Sequence, residues 1–210
     1  RYLIKFLKPE HMVKDIELLE KVADLFIYYG AKTVTMDDIA QELKISKKTL
    51  YQKYKNKEVL LEEVLTYKLE KVLLKMRNLD ETIDNAVERM FARDEDIERA
   101  SRTNDSIMLR QLIKYYPRIF NRHMLYFSEK LSEILVHNIE RGRKQGLYRE
   151  DFDANLYSKL YFQLTMTYDN SPFLNTTKIS RAHYQHESLM FYMNAITNEK
   201  GKVKMKNIIS

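Results

Sequence analysis

The 210-residue sequence has no cysteine, only four glycines and three prolines, and no apolar run approaching the ~18 to 20 residues needed to cross a bilayer. Without cysteine there is neither a disulfide nor a thiolate metal centre, and a reducing, cytoplasmic setting is the expectation. So few glycines leave no phosphate-cradling loop, and so few turn formers argue against a fold of many short strands. The P-loop, the G-x-S-x-G elbow and the H-E-x-x-H helix are all missing, so no catalytic residue, cofactor or membrane segment is expected. Leu, Lys, Glu and Ile are abundant, and an all-α fold follows as the expected class.

What is present is a concentrated basic window. The net charge is only +6, but from Lys44 to Lys57 there are six lysines (44, 47, 48, 53, 55 and 57) and no acidic residue, interleaved with Thr49, Tyr51, Gln52 and Tyr54. The preceding N-terminal stretch is mixed and slightly acidic, so the window reads as a docking surface; a general polyanion binder would be basic more widely. Thr35 stands three residues before Asp38, the spacing of a capping box, and Met36, Ile39, Ala40 and Leu43 then share one helical face. Lys44, Ile45 and Ser46 form a short connection in which Ile45 plugs the core and Ser46 caps the next helix. That helix, Lys47 to about Tyr54, has apolar anchors only at Leu50 and Tyr54. The spacing predicts a helix-turn-helix whose DNA-binding groups are Thr35, Lys47, Lys48, Thr49, Tyr51, Gln52, Lys53 and Lys57, since cations, hydroxyls and amides meet phosphates and base edges in a major groove.

These residues resemble the N-terminal domain of TetR-family transcriptional regulators over roughly Val13 to Leu61, with Phe26, Gly30, Thr35, Ile39, Ala40, Ser46, Thr49, Leu50, Tyr51, Lys57 and Glu58 at ungapped spacing. Lys48 stands where that family commonly has Gly, and Tyr54 where Phe is usual. The resemblance implies a ligand-responsive repressor with three partners: a double-stranded DNA operator, a second copy of itself, and an unidentified small-molecule effector.

Taken in order, the opening RYLIKFLKPEHM has no long apolar core or small-residue cleavage site and does not read as a signal peptide; residues 1–11 read as a tag or disordered lead-in. Val13 to Tyr29 reads as a first helix with Ile16, Leu19, Ala23, Phe26 and Ile27 on one stripe and Gly30 as its stop. Asn56 caps a long helix to about Met76 that joins the two domains. Further helices are expected at about 80–100, 104–115, 117–143, 153–170 and 180–198, with Gly142 and Gly146 marking the end of the third of these. The expected organisation is a helix-turn-helix domain at 12–60, a helical effector-binding and dimerisation domain at 61–198, and a frayed basic tail at 199–210.

In the C-terminal half a Met and aromatic stripe includes Met108, Leu112, Tyr115, Tyr116, Phe120, Met124, Phe127, Phe162, Met166 and Phe173. Such a stripe is ordinary core; the family resemblance implies instead that Met108, Leu112, Tyr116, Phe120, Met124, Phe127, Phe162 and Met166 surround an apolar effector. The last two helices carry wide apolar faces, Tyr157, Leu160, Tyr161 and Leu164 on one and His186, Leu189, Met190, Met193 and Ile196 on the other. The resemblance implies a four-helix bundle with a second subunit, and an interface of Tyr157, Tyr161, His186, Leu189, Met190 and Met193. His183 and His186 lack further ligands at a recognisable spacing, so no metal site is expected. Asp94, Glu95 and Asp96 are consecutive and read as solvated surface. Two other classes stay open: a nucleic-acid-binding protein without sequence preference, and an all-α enzyme.

Overall fold

The computed structural model describes residues 9–92 and 105–209, and among these the regular elements are helices. They are α1 (Pro9–Tyr29), α2 (Met36–Glu42), α3 (Lys47–Lys53), α4 (Lys57–Thr82), α5 (Ala86–Phe91), α6 (Asp105–Tyr115), α7 (Pro117–Lys144), α8 (Ala154–Asn170), α9 (Arg181–Ile196) and α10 (Glu199–Ile209). Residues 1–8 and Asp94 to Asp96 lie outside the described residues. The chain divides into two compact units, described residues 9–70 with 105–123 and 71–92 with 124–209, so the boundary falls inside α4 and again within the first third of α7.

The first unit is built on an apolar core. Leu19, Val22, Ala23 and Phe26 of α1 pack with Met36, Ile39 and Ala40 of α2, Leu50 of α3, Tyr54, and Leu60, Leu61, Val64 and Leu65 of α4. Met108 and Leu112 of α6 and Ile119 of α7 complete it. Ile16, expected on the buried stripe of α1, is 39% exposed, and Val22 is fully buried in addition to the expected residues. Gly30 stops α1 as expected, with a positive φ of 87° that favours glycine. A Cβ there would also lie 2.4 Å from the Gln111 amide nitrogen, at the end of a side chain that would have to swing aside.

The second unit holds two apolar clusters. One joins Ala86 and Val87 of α5, Ile139 of α7, Tyr148, Ala154, Leu189, Tyr192, Met193 and Ile196, and Met205 of α10. The other joins Leu73, Leu131, Leu135 and Phe162. Gly142 lies within α7, where a Cβ would meet the Tyr148 ring at 2.1 Å; Gly146, at φ 66°, is the residue past the helix end.

Three expectations change. The long fourth helix runs to Thr82, past Met76, because nothing interrupts it before Ile83. Over residues 80–92 the expected helix at about 80–100 is instead the end of α4 followed by the short α5, which Asn85 caps by accepting from the Val87 and Glu88 amides; residues 93–100 lie outside the described residues. The supposed frayed tail is α10: Asn198 accepts from the Gly201 amide at 3.0 Å, Met205 is 4% exposed, and Lys204 pairs with Glu88 at 2.5 Å. Only Gly201 and Met205, four residues apart, face the interior, so the segment carries too little apolar pattern to announce a packed helix.

Candidate functional site

In α2 the expected capping box is complete. The Thr35 side chain accepts from the Asp38 amide at 3.2 Å, and the Asp38 carboxylate accepts from the Thr35 amide at 2.8 Å and the Thr35 hydroxyl at 2.7 Å. These bonds, the hydroxyl's first, hold the Asp38 carboxyl below its usual range. Lys44 then takes a positive φ of 53°, the one non-glycine residue among those described to do so, which turns the chain sharply enough for Ile45 to rejoin the core. Ser46 caps α3 by accepting from the Thr49 amide at 3.0 Å, and its hydroxyl is 2.8 Å from that of Thr49.

On α3, Leu50 and Tyr54 are each 1% exposed, whereas Lys47, Lys48, Thr49, Tyr51, Gln52 and Lys53 face solvent. Two anchors one turn apart therefore fix the helix while its remaining face presents ammonium groups, a phenol and an amide. Lys47 is paired with Asp37 at 2.5 Å, which ties α3 to α2. Lys57 is half-buried and donates to the carbonyl oxygens of Val34 at 2.8 Å and Lys32 at 3.2 Å, so two of its three protons are spent and one remains for a partner. Burial, then the neighbouring Lys32, pull its pKa below the ordinary lysine value. Thr35 is exposed at the start of α2.

The second unit contains a cavity of about 280 Å³. Its walls are largely apolar, with Met76, Leu79, Met90, Phe127, Ile134 and Leu189 among them, and its polar groups include Arg89, Asn138, Thr165 and Gln185. Arg89 is 6% exposed and uses four of its five donors: Nη1 donates to the Asp80 carboxylate and, at 3.1 Å, to Asn138, while Nε donates to the Ile83 carbonyl at 3.0 Å and Nη2 to the same oxygen at 2.5 Å. Burial lowers its pKa against the opposing pull of Asp80. Asn138 in turn donates to Tyr148 and to the Ala86 carbonyl, which also accepts from the Tyr148 hydroxyl at 2.8 Å.

Of the residues expected around an effector, Phe127 lines this cavity; Phe162 and Met166 belong to the cluster with Leu131 and Leu135. Met108 and Leu112 are instead buried in the core of the first unit, Tyr116 and Phe120 pack against that core, and Met124 is half-buried. Phe173 is 93% exposed. Apart from Phe173 and Tyr115, the residues of the stripe are buried or half-buried, and their spacing does not tell which of the two units receives them. The lining residues Arg89 and Asn138 were missed; an arginine set between Ala86-Val87 and Met90-Phe91 was the signal that could have found the first.

The residues expected at a subunit interface are largely spent inside the chain. Leu189 and Met193 are 4% and 0% exposed, Tyr161 stacks on Tyr192 with centroids 4.4 Å apart, and Tyr157 lies 4.4 Å from Phe152. His186 and Met190 are half-buried. The apolar groups α8 and α9 leave in solvent are Leu156, Leu160 and Phe191, each at least half exposed. Among the described residues no helix is long and apolar enough to cross a membrane.

Residues 18–64 match the family described as bacterial regulatory proteins, tetR family. Solved structures similar in fold include a TetR-family transcriptional regulator from Cytophaga hutchinsonii, at TM-score 0.67 and 16% identity, covering 93% of this chain and 100% of that one. The ketosteroid transcriptional regulator KstR2 of Mycobacterium tuberculosis matches at TM-score 0.53 and 21% identity, covering 87% and 94%. The transcriptional regulator FadR of Bacillus subtilis, solved in complex with stearoyl-CoA, matches at 0.64 and 15%, covering 85% and 97%. No curated protein matches the chain in sequence.

Proposed function

We propose that the chain is a DNA-binding transcriptional regulator of the family whose description its residues 18–64 match, bacterial regulatory proteins, tetR family. In this reading it recognises a specific duplex operator through α3, as a homodimer, and leaves it when a small apolar molecule fills the cavity of the second unit. The observation that carries the DNA face is the division of α3 between two fully buried anchors and an exposed set of Lys48, Tyr51, Gln52 and Lys53. Gln52 is the group suited to read adenine bidentately, at about 1 to 3 kcal/mol of discrimination, and Lys48 is suited to phosphate. An operator selected from a random duplex pool provides the test. Gln52→Ala should relax one base position, and Lys48→Ala should weaken all sequences alike. Equal affinity for the selected and the scrambled duplex at constant salt would favour binding without sequence preference.

For release, the support is the apolar cavity, together with relatives of this fold whose names carry a ketosteroid and an acyl-CoA. An effector that prefers the DNA-incompetent form about 100-fold supplies about 2.7 kcal/mol per site, and DNA must weaken effector binding by the same factor. For self-association the support is the exposed trio Leu156, Leu160 and Phe191, in place of Leu189 and Met193, whose side chains serve the chain's own core. Phe191→Glu should give monomers in sedimentation with an unchanged melting profile. A wild-type chain already monomeric at micromolar concentration would sink the dimer.

A further inference from the structure

Three lysine ammonium groups gather where the α1–α2 loop meets the end of α6, all within the first unit. Lys57 reaches the loop through the carbonyls of Val34 and Lys32. Lys32 sits with its Nζ 5.6 Å from the centroid of the Tyr115 ring, and Lys114 approaches the same ring at 5.1 Å. Lys57 is 5.9 Å from the neighbouring ring of Tyr116. Among the described residues neither Lys32 nor Lys114 has an ion-pair partner, and both are exposed, as is Tyr115 at 46%. The nearby carboxylates are Asp38, which is spent on Thr35, and Glu58 in the first turn of α4.

Each lysine has an ordinary explanation taken singly. Lys114 stands in the last turn of α6, where a cation suits the negative end of the helix dipole, and a phenol face accommodates one ammonium. Neither reason requires several cations to share one place, where they repel. The place is also rigid: Gln111 accepts from the Lys32 amide at 2.6 Å and its amide nitrogen is 3.5 Å from the Thr33 hydroxyl, while Gly30 lets the two segments close on one another. The gathered charges are therefore held in position before any partner arrives, on the loop that leads directly into Thr35 and α2.

We infer that Lys32, Lys114 and the remaining proton of Lys57, ranged about Tyr115, form a second contact for the phosphodiester backbone of duplex DNA, separate from α3 and indifferent to base sequence. This rests on the DNA-binding reading and extends its surface to the end of α6. Each neutralised phosphate releases condensed counterions, so each contact leaves its mark in the salt dependence of binding.

The test measures duplex affinity of the full chain against salt concentration, on a selected operator and a scrambled duplex of equal length. Replacing both Lys32 and Lys114 by Gln keeps most of each aliphatic stem; it should lower the log–log salt slope by about 1.8, or ~0.9 per lost contact, equally on both duplexes. Replacing both by Arg should preserve the slope. Should the double Gln variant melt early, Lys114→Gln alone carries the test at half the change. An unchanged slope in the Gln variants, alongside a reduced one in Lys48→Ala, would overturn this contact and leave the α3 face standing. Absence of duplex binding by the wild-type chain at low salt would overturn both.

Discussion

The first unit buries apolar side chains and the Tyr54 ring, whereas Arg89, Asn138, Ser158, Ser188 and Thr197, the polar or charged residues buried among those described, all lie in the second. The difference matches two tasks. A dry core resists deformation because every shift opens a void or a clash, and it holds α3 in one attitude toward a groove of fixed dimensions. A core crossed by hydrogen bonds and bordered by a cavity has directional bonds to exchange and space to fill, which suits a site that must respond to occupancy.

The largest way to break this contrast is at Arg89. Arg89→Ala leaves the Asp80 carboxylate with His137 but without its buried cation, and removes the donors to Asn138 Oδ1 and the Ile83 carbonyl, at a cost of about 3 to 5 kcal/mol. Denaturation followed by hydrogen exchange should show the loss concentrated in α5 and α7 beyond residue 124, with the amides of α2 and α3 still protected. Arg89→Met, which keeps much of the bulk but removes the charge and the donors together, separates packing from polar contacts: a loss as large as that of Ala would assign the effect to the ion pair and hydrogen bonds and none of it to volume.

In the first unit the matching change is Leu50→Ala, expected to cost about 2 to 4 kcal/mol through the cavity it leaves beneath α3. Because Leu50 is one of only two anchors, DNA affinity should fall further than stability alone explains when measured well below the melting temperature. Affinity unaffected in the folded protein would mean that Tyr54 suffices to aim the helix.

A smaller effect is expected at the caps. Thr35→Ala and Ser46→Ala each remove an acceptor for an orphan amide and should cost about 1 kcal/mol. The two should add, since they serve different helices, and a shortfall in the double variant would reveal that the α2–α3 turn frays as one piece.

The smallest is a pH dependence. The Asp38 carboxyl is held below its usual value by the Thr35 hydroxyl and amide, so its contribution is present above the unfolded value of about 3.9 and is lost as pH falls through the lower folded value. The Thr35 amide resonance should therefore titrate below that of an ordinary aspartate. A midpoint at the ordinary value would show that the capping box does not persist in solution.

The reading head was legible because its determinants are local. A cap, a four-residue stripe, a short turn and two anchors lie within 23 consecutive residues, Thr35 to Lys57, and each is recognised by chemistry that acts over one helical turn. Even the spare face of α3 followed from which positions were not anchors. The second unit obeys the same helical spacing, and α7, α8 and α9 were legible to within a few residues, whereas α5 and α10 were not.

What spacing cannot express is which partner a face meets. Met108 and Leu112 joined the first core instead of an effector cavity, Leu189 and Met193 closed their own chain's core instead of a subunit interface, and Met205 drew the last segment into a packed helix. An apolar stripe records only that a surface avoids water, a demand satisfied equally by any apolar neighbour. The sequence alone thus determined most of the helices and which face of α3 stays in solvent. The tertiary structure decided the cavity, the buried Arg89 network and the exposed Leu156, Leu160 and Phe191, because these arise where segments distant along the chain compete for the same contacts.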